Sequence, residues 1–202
     1  MSRPPTVVLI GPPGAGKGTQ AGLLAGQGYR HVASGDLLRR HIASGTVLGR
    51  SAEPYVRGGA LVPDELVAGL VQAGLREHTG QPVVIDGFPK TAPQARRLDR
   101  ILAAEGRRAD LVLLFEASPD VLRRRMLSRG QGRADDTAAT VERRLADFAR
   151  VPVDLTDYYR ARGVLRPVRA DAAVDAVAAE IGSHLSVRPP ARAEPTDPTD
   201  HL

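Results

Sequence analysis

Apolar, β-rich runs punctuate the chain at Thr6–Ile10, Pro82–Asp86, Ala109–Phe115 and Val164–Val168, with a shorter one at His31–Ala33. Stretches with helical periodicity separate them. Strands alternating with helices predict right-handed βαβ crossovers, and so an α/β fold with a parallel sheet covered on both faces. Such sheets bind ligands beyond the carboxyl ends of their strands. Several helices have readable faces. Leu37, Leu38, His41 and Ile42 form the apolar side of one that Ser34 can cap. At about 100° per residue Arg39 borders that side and Arg40 points away. Pro63 followed by Asp64 and Glu65 reads as another helix start. A helix begun by Pro119 carries Arg125 and Arg129, four apart and hence on one face. Further on, Val141, Leu145 and Phe148 form a buried stripe. Arg144 lies about 60° from Val141 at its border, with Arg143 on the far side. From Ser186 onward, Pro, Arg, Asp and Thr dominate and no apolar period remains, which reads as a disordered tail.

A chain of 202 residues suits one compact domain with small inserted flaps. Only 3% of residues are aromatic, so the core must come from Leu, Val, Ala and Ile. Cysteine is absent, which excludes a disulfide and a thiolate zinc site. The formal charge of +5 is carried almost entirely by arginine, because Lys17 and Lys90 are the only lysines. That balance permits nucleotide or nucleic acid as partner, and arginine's planar fork suits phosphate in either. No apolar run approaches the roughly 20 residues of a membrane span, and residues 1–6 lack the marks of a secretory signal. A cytoplasmic protein is expected.

The segment Gly11-Pro12-Pro13-Gly14-Ala15-Gly16-Lys17-Gly18-Thr19 sits between the first strand and a helix containing Leu23 and Leu24. This is the setting of a phosphate-binding loop. Glycines let successive N–H groups turn toward one anion, and the helix adds the positive end of its dipole. Lys17 adds a mobile charge for the β- and γ-phosphates. The segment departs from G-x-x-x-x-G-K-[ST] at Gly18, so the hydroxyl for magnesium moves one residue on, to Thr19. Asp86 closes the strand Val83-Val84-Ile85, where a carboxylate can hold magnesium through water beside a phosphate loop. Gly87-Phe88-Pro89 reads as a turn with its aromatic at the cleft, followed by Lys90 and, four residues later, Gln94. A side-chain amide can both donate to and accept from a purine edge.

Taken in order, Gly11–Gln20, Ser34–Arg39, Gly59–Val67, Asp86–Gln94 and Arg129–Asp136 resemble the successive signatures of the adenylate kinase family. The resemblance runs over nearly the whole chain, to about Gly182. It implies a P-loop NTPase-type core with a five-stranded parallel sheet, made of residues 1–33, 63–128 and 137–185. A nucleoside-monophosphate flap (34–62), a lid (129–136) and the tail (186–202) complete the expected organisation. It also implies the reversible reaction ATP + AMP to two ADP, with magnesium as cofactor. Carried over by position, Gly14, Ala15, Gly16, Lys17, Gly18 and Thr19 would meet ATP, with Arg129 and Ala172. Ser34, Arg39, Ala60, Leu61, Val62, Gly87, Phe88, Pro89, Lys90 and Gln94 would meet AMP, with Arg133 and Arg144. Leu38, Val56 and Val67 would line the adenine pocket. The resemblance makes Lys17, Arg125, Arg129, Arg133 and Arg144 catalytic, and gives Asp86 and Thr19 the water-mediated hold on magnesium.

Only five residues separate Arg129 from Asp135, so the resemblance is to the short-lid form. The long form inserts a β-rich segment there, sometimes with zinc-binding cysteines, so no structural zinc is expected. The implied partners are ATP, AMP and ADP, without nucleic acid or membrane, and the implied state is a monomer. One departure stands out: the family has arginine where this chain has Lys90. A UMP/CMP kinase shares the short lid and most arginines, but Thr91-Ala92-Pro93 before Gln94 favours adenine. A nucleotide switch or RNA-binding protein without turnover is the alternative from another class. The arginines at catalytic spacings and the lack of a base-stacking aromatic series argue against it.

Overall fold

The structure is a computed structural model and describes residues 3–57, 62–129 and 151–186. Five parallel strands form one sheet in the order β2-β3-β1-β4-β5. They are β1 (Thr6–Ile10), β2 (Arg30–Ala33), β3 (Val83–Asp86), β4 (Leu111–Glu116) and β5 (Leu165–Arg169). The expected strands are all present, β1 with the expected bounds and the others with shifted ends. Pro82 stays outside β3, where its carbonyl accepts from Arg30 N at 2.8 Å but its nitrogen has no proton for a ladder. Eight helices are seen among the described residues. These are α1 (Lys17–Gly26), α2 (Ser34–Ala43), α3 (Val47–Arg57), α4 (Asp64–Arg76), α5 (Ala92–Ala104), α6 (Pro119–Arg129), α7 (Val153–Ala161) and α8 (Val174–Ser186).

The sheet separates two apolar layers, as a parallel sheet covered on both faces requires. Alternate residues of β1 serve each one. Val8 and Ile10 pack with Leu70, Leu75, Leu98 and Tyr159 from α4, α5 and α7. Val7 and Leu9 pack with Leu24, Leu122 and Ile181 from α1, α6 and α8. After β1 the chain crosses to β2 on one side, and after β3 it crosses to β4 on the other. The crevice between the ends of β1 and β3 is therefore a topological switch point. Leu9 pairs with Asp86, and Asp86 with Ala33, so three strand ends arrive there level.

α2 and α3 pack together beside this end. α3 crosses α2 so closely that a Cβ on Gly49 would lie 2.0 Å from the His41 carbonyl oxygen, and only glycine fits. Ser34, expected to cap α2, is instead its first residue, with Ala33 in the cap position and no side-chain cap bond. α5 does receive its cap: Gln94 N donates to Thr91 Oγ1 at 3.3 Å. The far end of α5 is held by α7, where Tyr158 donates to Asp99 Oδ2 at 2.6 Å. Burial, then the Asp99 bond and charge, hold the Tyr158 proton well above the ordinary phenol range.

Candidate active site

A cleft of about 430 Å³ opens at the ends of β1, β2 and β3. Its floor is the loop after β1. Gly11, Gly14 and Gly16 there take positive φ values of 147°, 83° and 90°, a conformation that side chains resist. Gly14 is also tightly placed, since a Cβ would lie 2.9 Å from both Leu122 O and Met126 Cγ of α6. Gly16 has open space around it and sits at the N-cap of α1. No side chain caps α1 and no acid stands in its first turn. An anion in the cleft would meet the positive end of this helix. Lys17 Nζ lies over the same loop, donating to Gly11 O at 2.7 Å and Pro12 O at 2.9 Å. Lys17 and Gly18 line the cleft, whereas Thr19 is exposed on the helix and does not.

Asp86 stands at the end of β3 and faces the same space, its side chain 17% exposed. His31 Nε2 lies 3.9 Å from Asp86 Oδ2, is buried and has no hydrogen-bond partner within the protein. The motifs did not point to His31. Its one signal was its place on the strand that runs into the Ser34 motif. Opposite the loop, Ser34 and Gly87 meet: a Cβ on Gly87 would lie 2.5 Å from Ser34 Oγ. Gly87 has φ 82°, so two distant segments are joined at a position open only to glycine.

The sequence pattern turned Arg39 toward the cleft and Arg40 away from it. Arg39 lines the cleft and pairs with Asp36, while Arg40 binds Glu77 at 3.0 Å across the outer face. Lys90 and Pro89 line the cleft as well. Phe88 does not. It is 1% exposed and packs in the layer with Leu70 and Leu98, so the expected aromatic at the cleft is a core residue. Gln94 stands behind Lys90 rather than in the wall. Its Oε1 accepts from Lys90 N at 2.6 Å, and its Nε2 donates to Asp64 Oδ1 at 2.7 Å. Leu38 and Val67 pack against the core, whereas Val56 is 46% exposed. Val62 is half-buried, next to the start of α4.

The family model described as adenylate kinase matches residues 9–164. The chain belongs to the adenylate kinase family. An adenylate kinase of Thermus thermophilus is 44% identical over 184 residues, covering 90% of this chain and 97% of that protein. An adenylate kinase of a Synechococcus species is 40% identical over 181 residues, covering 89% and 98%. That of Moorella thermoacetica is 39% identical, covering 89% and 97%.

Arg125 reaches from α6 to the segment after β5, where Nη1 donates to Ala170 O at 2.6 Å and Nη2 to Ala172 O at 3.4 Å. Ala172, expected beside ATP, is thus tied to α6 through its own backbone. Asp171 between them accepts from Ser118 N at 3.0 Å, which fastens the same segment to the start of α6. Arg125 does not itself line the cleft, but its neighbour Met126 does. Val151, Pro152 and Leu155 complete that wall, and no motif pointed to them. Ala60, Leu61, Arg133 and Arg144 lie outside the described residues, as do the side chain of Arg129, the lid from residue 130 and the tail from residue 187.

Proposed function

We propose that the chain is an adenylate kinase, transferring a phosphoryl group reversibly between ATP and AMP to give two ADP. The observation that carries this is a single cleft joining Lys17 and its glycine loop to Ser34, Arg39, Gly87 and Lys90. Donor and acceptor phosphates held there would face each other without an intervening protein nucleophile. Phosphoryl transfer needs in-line placement and positive charge around the transferred oxygens, and no covalent enzyme intermediate. The α1 N-terminus and Lys17 would hold the donor, with Lys17 exchanging the Gly11 and Pro12 carbonyls for phosphate oxygens. Arg39 and Lys90 would hold the acceptor phosphate, Ser34 and Gly87 would bound it, and Gln94 would face the base. Arg125, Arg129, Arg133 and Arg144 are proposed to surround the transferred group, as the resemblance implies. Closure of the flap over both nucleotides would keep water from competing as acceptor.

The residues present fit magnesium. Asp86 is a hard oxygen donor, partly open to the cleft beside the phosphate loop, as a water-mediated hold requires. Thr19, exposed beyond the wall, would add its hydroxyl only through water. When bound with ATP, magnesium neutralises charge on the β- and γ-phosphates. Among the described residues no three His, Asp or Glu side chains form a separate metal cluster, and none of the helices there is long and apolar enough to cross a membrane. A monomeric, cytoplasmic enzyme without structural zinc is part of the same proposal. ADP formation should require ATP, AMP and magnesium together, and should stop on adding a chelator. Full turnover in the chelator would refute the metal's role, and no ADP from ATP and AMP would refute the whole reading.

A further inference from the structure

Gln94 lies in the first turn of α5, and its amide is held at both ends. Oε1 accepts from the Lys90 backbone N–H, and Nε2 donates to the Asp64 carboxylate. Neither partner can reverse its part. A backbone N–H only donates, and an ionised carboxylate only accepts. A turned amide would set its NH₂ group against an N–H, and its carbonyl against a carboxylate. Asp64 is itself fixed in place as the first residue of α4. Next to it, Glu65 Oε1 accepts from Arg97 Nη2 of α5 at 2.8 Å, which ties the two helices at this level.

A side-chain amide has two N–H donors and two acceptor lone pairs. With one of each engaged, one donor and one acceptor remain, and their order in space is set. Adenine presents an amino donor at position 6 beside an acceptor at N1. Hypoxanthine and guanine present an acceptor at position 6 beside an N1–H donor, the opposite order. An amide free to turn could serve either edge. We infer that Asp64 is a positioning residue for acceptor choice: by holding the Gln94 amide one way round, it favours a 6-aminopurine monophosphate over a 6-oxopurine one. The inference rests on the proposed placement of Gln94 against the acceptor base. It makes specificity depend on a residue that need not touch the nucleotide.

IMP is the cleanest probe, because it reverses the edge without adding guanine's 2-amino group. Asp64→Asn keeps the size of the side chain but can either donate or accept, so only the Lys90 N–H still opposes a turned Gln94 amide. The AMP-to-IMP ratio of kcat/KM should fall roughly ten- to a hundredfold, the range of one charge-assisted hydrogen bond. The change should come mainly through the KM values for the two acceptors, with the KM for ATP unaltered. Asp64→Ala, which removes one of the two holds, should lower the ratio in the same direction and serves if the first variant folds poorly. Gln94→Ala is the control for the underlying placement. If it leaves the KM for AMP unchanged, Gln94 does not face the base and the inference falls with that reading. If it raises the KM for AMP while both Asp64 variants keep the wild-type ratio, only the role of Asp64 is overturned. Equal losses toward AMP and IMP in the Asp64 variants would likewise overturn it, by marking a merely structural residue.

Discussion

The two walls of the cleft are built by different means. On the proposed donor side the material is backbone. Three glycines at positive φ and an uncapped helix start shape the loop proposed to take the donor phosphates, and Lys17 is kept over it by carbonyls of the same loop. On the proposed acceptor side the material is side chains of α2 and α5, each set by a partner. Arg39 is held by Asp36, Ser34 abuts Gly87, and Gln94 is held by Asp64 and Lys90 N. A backbone site is encoded in one contiguous stretch and tolerates little change there. A side-chain site is spread over the chain, and its selectivity can be altered through residues outside the contact.

The largest effect should come from the donor wall. Lys17→Met removes the only lysine of the loop and should lower kcat by about a hundredfold or more, the scale of losing one preorganised electrostatic contact. Its melting temperature should stay within a few degrees of wild type, since the carbonyls that Lys17 bonds belong to its own loop. Near-normal kcat in the folded variant would break the assignment of this wall to the donor.

A smaller effect, confined to the other substrate, is expected from Arg39→Ala. Its partner Asp36 is 65% exposed, so the pair itself adds little stability. The KM for AMP should rise roughly ten- to a hundredfold through the lost charge-assisted bond to phosphate, with the KM for ATP unchanged. Equal rises for both nucleotides in steady-state kinetics would mean that the two walls are not separable.

Smallest is Lys90→Arg, which installs the arginine that the resemblance places at this position. Charge is kept, and a planar fork that can meet two phosphate oxygens replaces a single point charge. The KM for AMP should fall by a few-fold to about tenfold, within the worth of one such bond, again without change for ATP. An unchanged or higher KM for AMP would indicate an acceptor wall adapted to lysine.

The contrast also explains what could be read from the sequence. Apolar strands alternating with periodic helices pointed to a parallel sheet covered on both faces, because each pattern reports burial directly, and the count of five strands came with the family resemblance. The donor loop was readable for the same local reason: spacing, glycines and lysine lie together. Arg39 and Arg40 separated correctly because helical angle depends only on sequence distance. Phe88 was misplaced because a turn after a strand leaves the side chain's direction undetermined, and here it enters the core. Ser34 is a helix residue rather than a cap, because β2 ends at Ala33 and α2 begins at the next residue, which leaves Ala33 in the cap position. His31 beside Asp86 and Asp64 beside Gln94 depend on strand register and on the packing of α4 against α5. Neither leaves a local pattern to read.

On the proposed function, one cleft accepts an adenine nucleotide on its side-chain wall while the backbone wall delivers the phosphoryl group. The direct test is the rate of ADP formation from saturating ATP, measured as kcat/KM across AMP, GMP, CMP and UMP. AMP should exceed every other acceptor; UMP reverses the donor and acceptor order that the Gln94 amide offers, and CMP offers the matching order only on a smaller single ring, so both should trail well behind. Equal or better turnover with UMP or CMP would contradict the claim.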